Sequence, residues 1–227
     1  MPRPSPSRVL RALRRLAAGA VFPATLAFPV LAVAQSGMLA NHGQLVCGAT
    51  FVGDRHVLTA AHCLFDKETG ARLVLSGLAV VLPESDGRQA FKVVAASIAP
   101  DFRMRTRLPR AAIARDRAIL RLARVPDLPA ADIRPPERLR RPLFLRIGGP
   151  GGPACPVDVD HGDIVALDCP LQRGASGSGV FLVEDGSARL VAVISAAIAG
   201  GRKTAAAPLR PLPEEDARRL WRAGGPG

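Results

Sequence analysis

From residue 46 onward the chain runs in short apolar segments broken by turn formers. Cys47 to Val52, Arg55 to Thr59, Ala71 to Leu75, Ala79 to Leu82, Phe91 to Ile98 and Ala118 to Leu122 are separated by glycine, aspartate and proline. Runs of this length and composition read as strands, and their repetition predicts an all-β barrel or sandwich. Pro126, Pro129, Pro135, Pro136 and Pro142 then fall among arginines, a composition that resists regular structure and reads as a linker over 124–142. A second series follows at Leu143 to Ile147, Cys155 to Val159, Ile164 to Leu167, Val180 to Val183 and Leu190 to Ser195. The pattern predicts an all-β chain of two barrels of Greek-key type, over 35–123 and 143–210, with a site in the crevice between them. The tail, 211–227, changes period: Pro213 and three acids open it, Arg218, Arg219 and Arg222 close it, and Ala217, Leu220 and Trp221 share one face. That is the layout of a C-terminal helix.

The first 34 residues have a different character. Residues 3 to 15 are basic, Leu16 to Ala34 carry no charge, and Ala32-Val33-Ala34 offers a small-x-small site. This is the three-part arrangement of a secretory signal peptide, with cleavage expected after Ala34, before Gln35. The competing reading is an uncleaved membrane anchor. Pro23 and Pro29 interrupt the apolar run, and the cleavage site follows it, so export in secreted or periplasmic form without a retained span is the expectation.

Export changes the meaning of the charge. The formal +12 includes Arg3, Arg8, Arg11, Arg14 and Arg15, and losing those five leaves +7. The remaining arginines are dispersed among acids without a helix-turn-helix, zinc-finger or RNP-like pattern, so nucleic acid is not an expected partner. At 48% hydrophobic but 4% aromatic, with no Tyr, the chain predicts an aliphatic core. Cys47, Cys63, Cys155 and Cys169 fall in two pairs separated by 16 and 14 residues, with no C-x-x-C, which argues for two local disulfides and against zinc. Three connectivities remain open at this level.

Three runs carry chemistry. They are Leu58-Thr59-Ala60-Ala61-His62-Cys63, then Asp116-Arg117-Ala118-Ile119-Leu120, then Gly174-Ala175-Ser176-Gly177-Ser178-Gly179. Together, and in the order His, Asp, Ser, they resemble the trypsin-like serine peptidases, in particular the bacterial extracellular, glutamyl-endopeptidase-like branch. The resemblance implies that the two barrels are six-stranded and that the chain is a serine endopeptidase acting on proteins or peptides through an acyl-enzyme, with neither metal nor organic cofactor; a monomer is expected. A serine hydroxyl needs a base within reach, and that base needs an acid to set its tautomer; His62, Asp116 and Ser176 supply the three groups. Asp101 is the rival acid, but Ala99-Pro100-Asp101-Phe102 reads as the turn before the aspartate strand, and Asp116 heads an apolar run. The resemblance also implies disulfides Cys47–Cys63 and Cys155–Cys169, and an oxyanion hole from the amides of Gly174 and Ser176.

Where the chain departs from animal trypsins, the departures set further expectations. Ala175 stands where they carry aspartate, so no ion pair with a new amino terminus can form. Gly179 replaces a proline, which predicts a looser nucleophile loop, and only nine residues separate Leu145 from Cys155, a short opening hairpin. The expected substrate pocket comprises Pro170, Leu171 and Arg173 near its base and rim, with Ile194, Ser195, Ala196 and Ala197 along its wall. No acid lies there to bind Lys or Arg. A small or medium apolar residue before the scissile bond is therefore expected, with Arg173 as the one feature favouring an acid.

Overall fold

A computed structural model describes residues 35–99, 102–136, 138–139 and 143–210. The expected signal peptide, Asp101 and the expected C-terminal helix lie outside those residues.

Apolar side chains alternate with polar ones along the strands, and the alternation curls each sheet around its apolar face. In the first unit, β1 (Ser36–Asn41), β2 (Gln44–Gly53), β3 (His56–Thr59), β4 (Leu78–Glu84), β5 (Gly87–Ile98) and β6 (Ala118–Leu122) close into a barrel in the order β1-β2-β3-β6-β5-β4. Along β4, Leu78, Val80 and Leu82 are buried; their neighbours are not. In β2 the run Cys47–Phe51 is buried at every position, because one face meets the barrel core and the other meets the second unit. A five-residue helix, α1 (Arg110–Ala114), leads into β6.

The second barrel has β7 (Phe144–Ile147), β8 (Ala154–Asp160), β9 (Val165–Leu167), β10 (Gly179–Glu184), β11 (Ser187–Ile198) and β12 (Lys203–Pro208), ordered β10-β11-β12-β9-β8-β7. Asp185 and Gly186, with φ of 48° and 74°, make the tight β10–β11 hairpin that the Asp-Gly pair favours. The short opening hairpin is no defect: Leu145 pairs with Cys155 and the barrel closes. Phe181, Leu190 and Val193 of the second barrel belong to the apolar cluster of the first, so the two share a core boundary. The described part of 124–142 forms no helix or extended strand. The Ala131 amide donates to the Phe51 carbonyl at 3.0 Å, and the Leu190 amide to the Asp132 carbonyl at 2.7 Å, which straps this stretch across both barrels.

Three strand expectations need correction. Ala71–Leu75 is mostly exposed and makes only an isolated bridge, Phe65 to Arg72, where a strand was expected. Conversely β1 and β12 carry no strong strand signal. The Ala-rich Thr204–Pro208 is buried between β11 and β9, where the ladder, not intrinsic preference, decides.

The second barrel carries a buried ion pair at its open end. Asp160 accepts from the Leu139 amide at 2.7 Å, from the Gly162 amide at 2.9 Å, and from the Arg210 guanidinium. Burial works against its charge, but these donors outweigh burial and hold its carboxyl below the ordinary aspartate range. A carboxyl whose pKa falls on folding contributes stability that is present above its unfolded value and lost as pH drops through the folded one. Asp160→Asn is therefore expected to cost about 3 kcal/mol near neutrality by stranding Arg210. The variant should also flatten the acid limb of a plot of Tm against pH below about 4; an unchanged acid limb would contradict this role.

Candidate active site

His62 enters at the end of β3. Ala60 leaves that strand in an extended conformation and Ala61–Leu64 form a single 3-10 turn, which points the imidazole back toward the start of β6. The disulfide Cys47–Cys63, with S–S 1.98 Å, ties this turn to β2; the second, Cys155–Cys169, has S–S 2.08 Å. Both pairings implied by the resemblance are present, and they fit an oxidising compartment.

Asp116 follows α1 and is fully buried. A carboxylate in such a place must be surrounded by donors, and three converge on it. Its Oδ1 accepts from the His62 backbone N–H at 2.8 Å, and its Oδ2 lies 2.6 Å from His62 Nδ1 and also accepts from the Ser195 hydroxyl. A carboxylate on Nδ1 draws the ring proton to that nitrogen and leaves Nε2 with its lone pair. Nε2 sits 3.7 Å from Cys63 Sγ. Cys47, His62 and Cys63 bring their N and S atoms within 4.8 Å of one another, but both sulfurs are consumed in the disulfide and offer no thiolate to a metal.

Ser176 lies in the loop before β10. The loop is built by short bonds: Ala175 N–H to Gln172 O at 3.1 Å, Ser178 N–H to Ala175 O at 3.0 Å, and Gly177 N–H to Ile194 O at 2.8 Å. It is pinned to the first barrel by Gly48 N–H to Ser176 O at 2.6 Å. Contact there is so close that a Cβ on Gly48 would stand 2.1 Å from Ser178 Oγ and 2.7 Å from its amide nitrogen. Gly48→Ala is therefore expected to push the loop off its seat, lowering kcat/KM on a peptide substrate on the order of 10²-fold and Tm with it. Unchanged kcat/KM would show that the seat is unimportant.

The Ser176 hydroxyl donates to the Ser195 carbonyl at 3.4 Å, a long contact for an O–H donor. The amides of Gly174 and Ser176 donate to no acceptor among the described residues. Gly174 has φ of 81°, a conformation that favours glycine. Gly179, expected to loosen the loop, tightens it. Its N–H donates to Thr50 Oγ1 at 3.0 Å, which proline could not do, and a Cβ would strike Leu190 Cδ1 at 2.6 Å.

A cleft of about 800 Å³ opens beside His62. Of the expected pocket residues, Ser195, Ala196 and Ala197 line it; Pro170, Leu171, Arg173 and Ile194 do not. Pro170 and Arg173 are exposed, Leu171 packs against the second core, and Ile194 is fully buried within it. Two hydrogen-bonding roles are not announced by the sequence. Ser195 is the second side-chain donor on Asp116, and its only sequence signal was a hydroxyl in an apolar strand, where burial demands a partner. Thr204, fully buried, donates to the Cys169 carbonyl at 2.8 Å and fixes the segment ahead of Pro170 to β12.

No curated protein matches the chain. The family model described as Trypsin matches residues 28–138, which span the first barrel, His62 and Asp116. That match and the two closed six-stranded antiparallel barrels together support a trypsin-like serine peptidase.

Proposed function

We propose that the protein is an exported serine endopeptidase in which His62, Asp116 and Ser176 act as a triad. The observation that carries the reading is that Ser195 bonds to both halves of the site, its hydroxyl to the carboxylate that anchors His62 Nδ1 and its carbonyl to the Ser176 hydroxyl, beside the two uncommitted amides of Gly174 and Ser176. In the first step Ser176 Oγ attacks the scissile carbonyl carbon, and its proton passes to His62 Nε2. The carbonyl oxygen becomes an oxyanion held by the Gly174 and Ser176 amides, each such donor worth about 3 kcal/mol in the transition state. Collapse breaks the C–N bond, Nε2 returns the proton to the leaving amine, and an acyl-enzyme remains. Water then repeats the sequence in place of Ser176. Asp116 stays ionised throughout and steadies the imidazolium.

Ala175 offers no carboxylate to a new amino terminus, in keeping with the bacterial extracellular branch. The local turn bonds take over the ordering of the loop, so maturation needs nothing beyond signal removal. Disulfides at both barrels fit the exported location. Among the described residues no helix is long and apolar enough to cross a membrane. A second reading, a catalytically silent binding domain, draws on the Ser176 hydroxyl being bonded to Ser195 and not to His62. Digestion of a peptide library read by mass spectrometry, with Ser176→Ala alongside, separates the two. Cleavage by the wild type alone supports the peptidase, and no cleavage by either supports the binding domain.

A further inference from the structure

The cleft beside His62 has an unusual wall. Lys67, Arg105 and Arg107 line it, all three exposed, none in an ion pair among the described residues, and the lining contains no acid. This contrasts with Arg110, Arg134, Arg189, Lys203 and Arg210, each paired with a carboxylate. Three uncompensated cations around one concavity raise the local concentration of anionic groups.

The cleft is also shaped for an extended chain. Beyond Ile194, which bonds to Gly177 and Ser178, and Ser195, whose carbonyl accepts from the Ser176 hydroxyl, β11 pairs with β12 alone, so the other edge of Ala196–Ile198 pairs with no strand. An open strand edge takes an extended peptide by main-chain hydrogen bonds, while flanking pockets read its side chains. Ala196, Ala197, Gly200 and Gly201 supply almost no side-chain bulk, which accounts for the room. Met104 and Leu108 give an apolar surface beneath the cations. Three residues of extended chain cover about 10 Å, so a side chain two to four residues from the scissile bond stands well away from Ser176 along the strand.

We propose that this cleft is a subsite for an acidic side chain, Glu or Asp, lying two to four residues from the scissile bond of a peptide substrate. The proposal rests on the reading of Ser176 as nucleophile for the position of that bond. Arg173 plays no part in it, since it lies outside the cleft.

The test uses full-length Ser176→Ala protein and fluorescein-labelled peptides of one sequence, with Glu or Gln placed at each position two to four residues on either side of a central Ala. Binding is read by anisotropy. For at least one position the Glu peptide is expected to bind about five- to ten-fold more tightly than its Gln counterpart, the sum of three exposed pairings. The preference should vanish in Lys67→Gln/Arg105→Gln/Arg107→Gln, with folding checked by Tm, and at about 0.5 M salt, where exposed charges are screened. Equal affinity of Glu and Gln peptides at every position would overturn the proposal. So would displacement by an oligonucleotide of equal charge as readily as by the Glu peptide, which would mark undirected polyanion binding. Cleavage of the same peptides by the wild type is scored separately. If none is cut, the peptidase reading fails, while the affinity comparison still decides the subsite.

Discussion

Ser176→Ala is expected to lower kcat for peptide hydrolysis by roughly six orders of magnitude, and His62→Ala to do the same. Both groups act in one event, the transfer of the hydroxyl proton to Nε2 as the C–O bond forms, so losing either removes the whole advantage. The double variant should therefore be scarcely slower than either single one, a non-additivity that independent contributions could not produce. Neither change should unfold the protein. Ser176 holds its loop through its backbone carbonyl on Gly48, and in His62→Ala the Asp116 carboxylate loses one donor while keeping the backbone N–H of residue 62 and the Ser195 hydroxyl. Steady-state rates on a peptide found in the library digest, with Tm as the control, read this directly. Substantial hydrolysis by Ser176→Ala at unchanged Tm would refute the assignment of the nucleophile.

Asp116→Asn is expected to lower kcat/KM by about four orders of magnitude while keeping the shape of the site. Asn is nearly isosteric, and its carbonyl oxygen can still accept from a backbone N–H. Its amide, turned toward Nδ1, would donate where the carboxylate accepts, so the ring proton moves to Nε2 and the base is lost. The same substitution disturbs the Ser195 hydroxyl, which shares Oδ2 with His62, and some loss of Tm accompanies the loss of rate. Rates and Tm measured together separate the two effects, because the tautomer change acts on kcat/KM far beyond what the stability change explains. The same substitution at Asp101 should have little effect on rate; if it were the crippling one, the acid would be misassigned.

What could be read from the chain was written in contiguous residues. His62 with Cys63, and Ser176 among glycines, each sit in a run of six, and Asp116 heads its own strand, so local composition sufficed to nominate them. The fold class followed from alternation in strands such as β4 and β5, where burial keeps step with the sequence. Elsewhere the deciding partner is remote. Nothing near Lys203–Pro208 marks it as a strand, because alanine is accepted there only by pairing with β9 and β11. Gly179 looked like a weakness until Thr50, 129 residues away, proved to be its acceptor. Ser195 lines the cleft, but its hydrogen bond to Asp116 spans 79 residues and no local run announces it. The cationic cleft needs Lys67, Arg105 and Arg107 brought to one rim by different loops, and scattered basic residues announce no such meeting.

The most direct test of the central claim, that Ser176 is an assembled nucleophile, is covalent labelling by a fluorophosphonate probe followed by peptide mapping. Such probes react with a serine only when a base and oxyanion donors are in place. Stoichiometric modification at Ser176 is expected, abolished by His62→Ala and by prior denaturation. No labelling of folded wild-type protein, or labelling that survives His62→Ala unchanged, would contradict it.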